Sequence, residues 1–108
     1  MYEIKFIKGD DHVVEYEVTG FGEIEKAYLT VKCVERIARI KKNINNGIKI
    51  SENIIRVSFT PEDTNDIPWY LEMVYDLEII SEGKKRTIIK DKFTLEEDIT
   101  TPEDEGDA

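Results

Sequence analysis

The chain has 108 residues, 40% of them hydrophobic and 36% charged, with a formal net charge of −9. That length provides for one domain with a core of its own, and no apolar run approaches the ~20 residues that a membrane-spanning helix requires. A single cysteine, Cys33, excludes an intramolecular disulfide framework and fits a reducing compartment.

In chain order, Tyr2, Ile4 and Phe6 alternate with Glu3 and Lys5, and Gly9-Asp10-Asp11 ends the run. This predicts a half-buried strand over residues 2–7 and a turn. Val14, Tyr16 and Val18 form the inward set of a second strand, closed by Gly20 and Gly22. Ala27, Leu29, Val31 and Cys33 form that of a third, with Tyr28, Thr30 and Lys32 on its other face. Three period-2 segments separated by glycine or aspartate argue for an antiparallel all-β domain.

Residues 34–44 read two ways. Val34, Ile37, Ala38 and Lys41 would share a helical face, giving a short helical turn over 34–38. Ala38, Ile40, Lys42 and Ile44 instead alternate as a strand does. A strand over 39–44 is preferred, because Asn46-Gly47 suits the positive φ of a tight hairpin turn, with Ile48 and Ile50 opening the partner strand. After a turn at Ser51-Glu52-Asn53, Ile55, Val57 and Phe59 point inward. Thr60 as N-cap, Pro61 at the first helical position and Asp63 in the first turn predict one helical turn over 61–66. Pro68 breaks it, since the residue before a proline is pushed toward extended geometry. A strand over 70–80 would carry Met73, Tyr75, Leu77 and Ile79 on its inner face. On that alternation Trp69 falls on the core side, while Tyr70, Val74 and Asp76 face outward. Ser81-Glu82-Gly83-Lys84 turns the chain, and residues 87–95 return antiparallel. Seven or eight such strands, with one short helical turn near residues 61–66, read as an immunoglobulin-like antiparallel β-sandwich over residues 1–95.

Residues 96–108 carry seven acids and no lysine or arginine, so the remainder of the chain is close to balance at about −2. This last segment has too little apolar content to fold and reads as a disordered, solubilising tail, or as an electrostatic arm for a basic partner. Nucleic acid is not an expected partner, because phosphate binding needs a concentrated basic surface. Lys84-Lys85-Arg86 is the nearest approach to one, and beside Gly83 it reads as a solvated turn. No membrane association is expected, and no signal peptide precedes Tyr2, so the protein should be intracellular as made.

No catalytic constellation is visible, and the chain is expected to be no enzyme. His12, the only histidine, precedes a strand beside two aspartates and reads as a surface residue. Cys33 reads as a buried, inert thiol. Ser51, Ser58 and Ser81 lie in or next to turns and strands, away from any nucleophile elbow. Asp10-Asp11 and Glu62-Asp63-Asp66 offer oxygen ligands of the kind calcium takes, yet lack the spacing of an EF-hand, and turns favour aspartate for their own reasons. No catalytic, cofactor or metal residue is therefore assigned.

The order of parts carries a resemblance. The chain begins Tyr2-Glu3-Ile4-Lys5-Phe6 and Lys8-Gly9-Asp10, and continues with Leu29-Thr30-Val31-Lys32 and Asn46-Gly47-Ile48. It then has Phe59-Thr60-Pro61-Glu62-Asp63-Thr64, Val74-Tyr75-Asp76-Leu77-Glu78-Ile79 and Phe93-Thr94-Leu95, with Ile99-Thr100 in the closing acidic stretch. Over residues 2–100 this resembles the small immunoglobulin-like domain of tailed phages and prophages of Gram-positive bacteria, which also occurs at the N-terminus of baseplate upper proteins.

The resemblance implies a non-enzymatic virion assembly module that docks on other tail or baseplate proteins, often as repeated copies. It further implies synthesis in the bacterial cytoplasm, incorporation in the virion on assembly, and no cofactor. Two positions depart from the pattern: Asp91 stands where a glycine is common, which would alter a bulge, and Pro68-Trp69-Tyr70 replaces a glycine before the Tyr-Asp strand. Contact would use strand edges or end loops. The candidates are Tyr2 and Ile4 on the first strand, and Trp69 and Tyr70 at the sandwich end. The rival readings are a carbohydrate-binding module in which Trp69 and Tyr70 meet host polysaccharide, and a cytoplasmic interaction protein absent from the virion. Self-association is compatible with all three.

Overall fold

The alternating segments become eight strands and one helical turn in the computed structural model, which describes residues 2–33 and 36–97. The strands are β1 (Ile4–Ile7), β2 (His12–Glu17), β3 (Ile24–Cys33), β4 (Ala38–Lys42), β5 (Ile48–Ser51) and β6 (Ile54–Phe59). The turn α1 (Pro61–Thr64) leads to β7 (Met73–Ser81) and β8 (Lys84–Glu96). One sheet runs β1-β8-β7-β3-β4 and the other β2-β6-β5. The groups β8-β7-β3 and β2-β6-β5 are the neighbour sets of an immunoglobulin sandwich, and β4 extends the first as in variable-type domains. The chain is thus an all-β, immunoglobulin-like sandwich. It is not antiparallel throughout: β1 pairs with β8 in parallel, from Ile4 opposite Phe93 to Ile7 opposite Glu96. A parallel pair needs a long connection, which the rest of the chain supplies.

The core lies between the sheets. Ala27, Leu29, Val31 and Cys33 of β3, Met73, Tyr75, Leu77 and Ile79 of β7, and Ile55, Val57 and Phe59 of β6 are all buried, as their alternation requires. Phe6, Phe59 and Phe93 meet with ring centroids 5.5 to 5.7 Å apart, and His12 stacks on Phe6 at 4.5 Å. That half-buried place, rather than an open surface, lowers the pKa of His12 by desolvation. A polar link crosses the core: Tyr16 of β2 donates to the Tyr75 hydroxyl at 2.8 Å, and Tyr75 donates to the Tyr2 carbonyl. Desolvation raises the pKa of both phenols.

Four expectations are corrected. Asn46-Gly47 is not a two-residue turn joining paired strands. Asn43 and Asn46 exchange backbone hydrogen bonds (3.2 and 2.9 Å), Gly47 takes φ 87°, and the chain crosses here from one sheet to the other. Lys42 points inward with Ile40 on β4's own alternation, its ammonium meeting Asp63 at 2.6 Å, and the crossing that follows leaves Ile44 in solvent. The helical alternative over 34–38 lies partly outside the described residues. Ile4 is only 2% exposed, because it points into the core beside Phe93, its register partner on the adjacent strand β8, so its side chain cannot serve as a contact. Finally, the strand expected from Tyr70, β7, starts at Met73. The Leu71 N–H closes a turn on the Pro68 carbonyl (3.2 Å), which places Trp69 and Tyr70 at its corner. Trp69 is consequently 45% exposed and does not belong to the core.

The other turns follow their sequences. Glu82 (φ 53°) and Gly83 (φ 73°) form a two-residue turn of the mirror-image kind that suits strand twist. In α1 the Asp63 carboxylate accepts the Thr60 N–H at 2.8 Å. Asp91 pairs in regular register with Tyr75, and the irregularity of the β7–β8 ladder falls between Leu77 and Glu78. The acidic tail beyond Glu97 lies outside the described residues.

Candidate functional site

The outer face of the five-stranded sheet collects the residues that the alternation sends away from the core. β7 is its central strand, and register sets its neighbours: Val74 stands between Lys92 of β8 and Lys32 of β3, and Asp76 between Lys90 and Thr30. Lys41 of β4 continues the second row beyond Thr30. Neighbouring strands are about 4.8 Å apart, so the lysines flanking β7 begin roughly 10 Å from one another. Val74 is 57% exposed between its two lysines, so the face is an apolar strip with basic sides.

At the β7 entry this face deepens into a groove of about 810 Å³. Trp69, Tyr70 and Leu71 form one wall, Lys5 and Thr94 lie opposite, and the strand end Glu96-Glu97 borders it. The two aromatic rings stand nearly at right angles, 81° between planes with centroids 6.0 Å apart, and Tyr70 is 70% exposed. Glu3 and Glu72 also line the groove, and Glu3 accepts the Thr94 hydroxyl at 3.0 Å. A second depression of about 390 Å³ continues from it through Lys32, Val74 and Lys92 to Asp76 and Lys90. In that depression desolvation, followed by the neighbouring Glu78 charge, raises the Asp76 pKa, while Lys32, Lys90 and Lys85 pull it back. One Asp76 carboxylate oxygen is buried without a hydrogen-bond partner.

The sequence candidates separate accordingly. Trp69 and Tyr70 come together at the groove. Tyr2 is exposed at the start of the first strand but tied down, its N–H given to Asp91 at 2.8 Å. That bond and the Lys92 N–H, the larger influence, hold the Asp91 carboxyl below its usual pKa. Ile4 is inside. Sequence reasoning had placed Lys32 and Val74 outward but did not join them to Lys90 and Lys92, which come level only through strand register.

Of the other chemistries weighed, Asp63 is engaged by Lys42 and Thr60. Among the described residues, no three His, Cys, Asp or Glu side chains assemble as metal ligands would. The Cys33 thiol is buried and directed at the Ile37 carbonyl, 3.8 Å away.

Comparison with protein-family models gives no match, and neither does comparison with curated proteins.

Proposed function

We propose that this chain is a non-enzymatic interaction module that docks on a partner protein through the groove beside Trp69 and Tyr70, of the kind from which phage tails and baseplates are assembled. The docking part of this reading is carried by one observation: two adjacent large aromatic side chains are held out in solvent by a turn, over a groove with an apolar floor. Tryptophan and tyrosine are the residues that most often dominate binding energy at protein interfaces, and an exposed apolar patch with a polar rim marks such surfaces. The phage part rests on the order of sequence motifs described above. The partner is then another tail or baseplate protein, or a second copy of the chain.

A photo-crosslinking residue placed at Tyr70, with expression in the producing bacterium, tests this directly. A discrete protein adduct found in purified phage particles is the expected result. A discrete adduct found only in the cytoplasm would keep the docking surface and remove the virion. No protein adduct would remove the docking surface as well.

Carbohydrate binding is the second reading, and the exposure of Trp69 favours it more than the sequence did. Against it, rings at 81° offer a sugar no single flat platform. Quenching or blue-shift of the Trp69 emission on adding host surface polysaccharide, without a protein crosslink, would bring it to the front.

A further inference from the structure

Beyond the mouth of the groove, the strip along β7 is bordered by four exposed lysines. Lys90 and Lys92 of β8 stand on one side, and Lys32 of β3, with Lys41 of β4 beyond Thr30, on the other. The ion pairs among the described residues engage none of the four. Between them lies one carboxylate, Asp76, which Lys32 and Lys90 already oppose. Glu78, the next outward residue of β7, is taken by Lys85 at 3.0 Å. Positive charge is thus in excess along the strip, and its complement is acidic.

The backbone narrows the occupant further. β8, β7 and β3 each have a hydrogen-bonded neighbour on both sides, so this face lacks the unpaired edge that an extended chain could join. An extended chain lying here would bury its own N–H and C=O groups without partners, whereas a helix satisfies them internally. With side chains a helix is about 10–12 Å across, which matches the roughly 10 Å between the lysine strands. We infer that the outer face of β7 receives an amphipathic helix of the partner protein, its apolar stripe on Val74 and the Trp69–Tyr70 wall, its flanking carboxylates on the lysines of either side. The inference rests on the groove being a docking surface, and it gives the partner its chemistry. From Met73 to Leu77 the strand advances about 13 Å, so three helical turns, about 16 Å, cover the strip and reach the groove. Glu3 and Glu72 line the mouth, so the end of the helix over the aromatic wall is neutral or basic. A second copy of this chain is a poorer occupant. Its own outer face would set lysines against lysines, and α1, the one helix among the described residues, has four residues.

Trp69 is the only tryptophan, so with a probe that has no aromatic residue its emission reads the groove without interference. The probe is a peptide of leucine, alanine and glutamate, about 18 residues long and stapled on its far side to hold the helix. Its leucines recur at i, i+3, i+4 and i+7, and its glutamates flank that stripe on both sides. Titrated into the full chain at low salt, it should shift the Trp69 emission to the blue, saturably. Affinity should fall about tenfold in the double variant Lys32→Glu, Lys92→Glu, where two attractions become repulsions of similar size. Lys32→Gln, Lys92→Gln, which only removes the attractions, should fall in between.

No saturable shift with the glutamate-flanked helix would overturn the inference, while crosslinking from position 70 would still judge the groove as a docking surface. Equal affinity for an unstapled, scrambled peptide of the same composition would make the face a general polyanion site and refute the helix. Equal affinity for the same helix with lysine in place of glutamate would refute the charge matching. Undiminished affinity in both lysine variants would place the peptide elsewhere on the surface and refute the site.

Discussion

Replacing Asp63 by alanine strands a charge. The Lys42 side chain is 3% exposed, and its ammonium meets the Asp63 carboxylate at 2.6 Å while lying 5.6 Å from the centroid of the Phe59 ring. Deleting one member of a buried pair costs about 3–5 kcal/mol, because the other is left charged without a partner. Asp63 retains some solvent contact, with its side chain 19% exposed, so about 3 kcal/mol is the appropriate end of that range. The same carboxylate accepts the Thr60 N–H at 2.8 Å, and losing that cap adds about 1 kcal/mol.

Asp63→Ala should therefore lose about 4 kcal/mol, a large part of the roughly 5–15 kcal/mol that holds a domain. Lys42→Met keeps the packing of the stem and removes the charge, and should lose only about 1 kcal/mol. Urea unfolding followed by far-UV circular dichroism measures both. The double variant Lys42→Met, Asp63→Ala decides the mechanism: it should be more stable than Asp63→Ala alone by about 2 kcal/mol, since no charge is then stranded. Additive losses, or equal losses in the two single variants, would refute the reasoning.

Further outcomes follow from the core link, a turn and the groove. Tyr75→Phe should cost about 1–3 kcal/mol, because the Tyr16 hydroxyl and the Tyr2 carbonyl both lose a partner, whereas Tyr16→Phe leaves the Tyr75 to Tyr2 bond in place and should cost about 1 kcal/mol. Folding raises the pKa of Tyr16 above its unfolded value, so the folded state keeps a proton that the unfolded state sheds above about pH 10. Stability should thus hold up to that pH and fall beyond it, and fall less in Tyr16→Phe, as urea midpoints at stepped pH will show. Gly47→Ala places a Cβ 2.9 Å from the Ser58 carbonyl oxygen at a φ of 87°. It should cost about 2–3 kcal/mol, against about 1 kcal/mol for Gly20→Ala, where φ is also positive but nothing lies within 4 Å. Trp69→Ala should change the unfolding free energy by less than about 0.5 kcal/mol while abolishing the crosslink from position 70, which separates a contact residue from a core residue.

The sandwich was legible wherever a segment alternates without interruption. β3 from Ala27 onward, β6 and β7 bury every second residue, and a capped proline and a glycine turn mark where β6 and β7 stop. Two features escaped for physical reasons. Alternation carries no information through a turn, so counting back six positions from Tyr75 put Trp69 in the core, although the turn closed on Pro68 lies between them. The crossing after β4 was hidden because a buried lysine looks like a surface one until its partner is known, and Asp63 is 21 positions away. The groove was illegible for a related reason. Lys32 and Lys92 lie on different strands and approach each other only because Val74 pairs with both, and no local pattern encodes which strands become neighbours.

The parallel pairing of β1 with β8 has a mechanical consequence. Tension applied through residues 2 and 97 pulls β1 from its first end and β8 from its last, so the two strands are drawn past each other along their length. The register pairs from Ile4–Phe93 to Ile7–Glu96 then bear the load together instead of parting one after another. The Lys8 N–H to Glu96 carbonyl bond (3.0 Å) and the Tyr2 N–H to Asp91 bond clamp the two ends of the same seam. Under force, such a seam fails at a rate set by the unfolding barrier and not by equilibrium stability. The domain is therefore built to transmit a pull along its own long strands, and it would unzip readily only if gripped from the side.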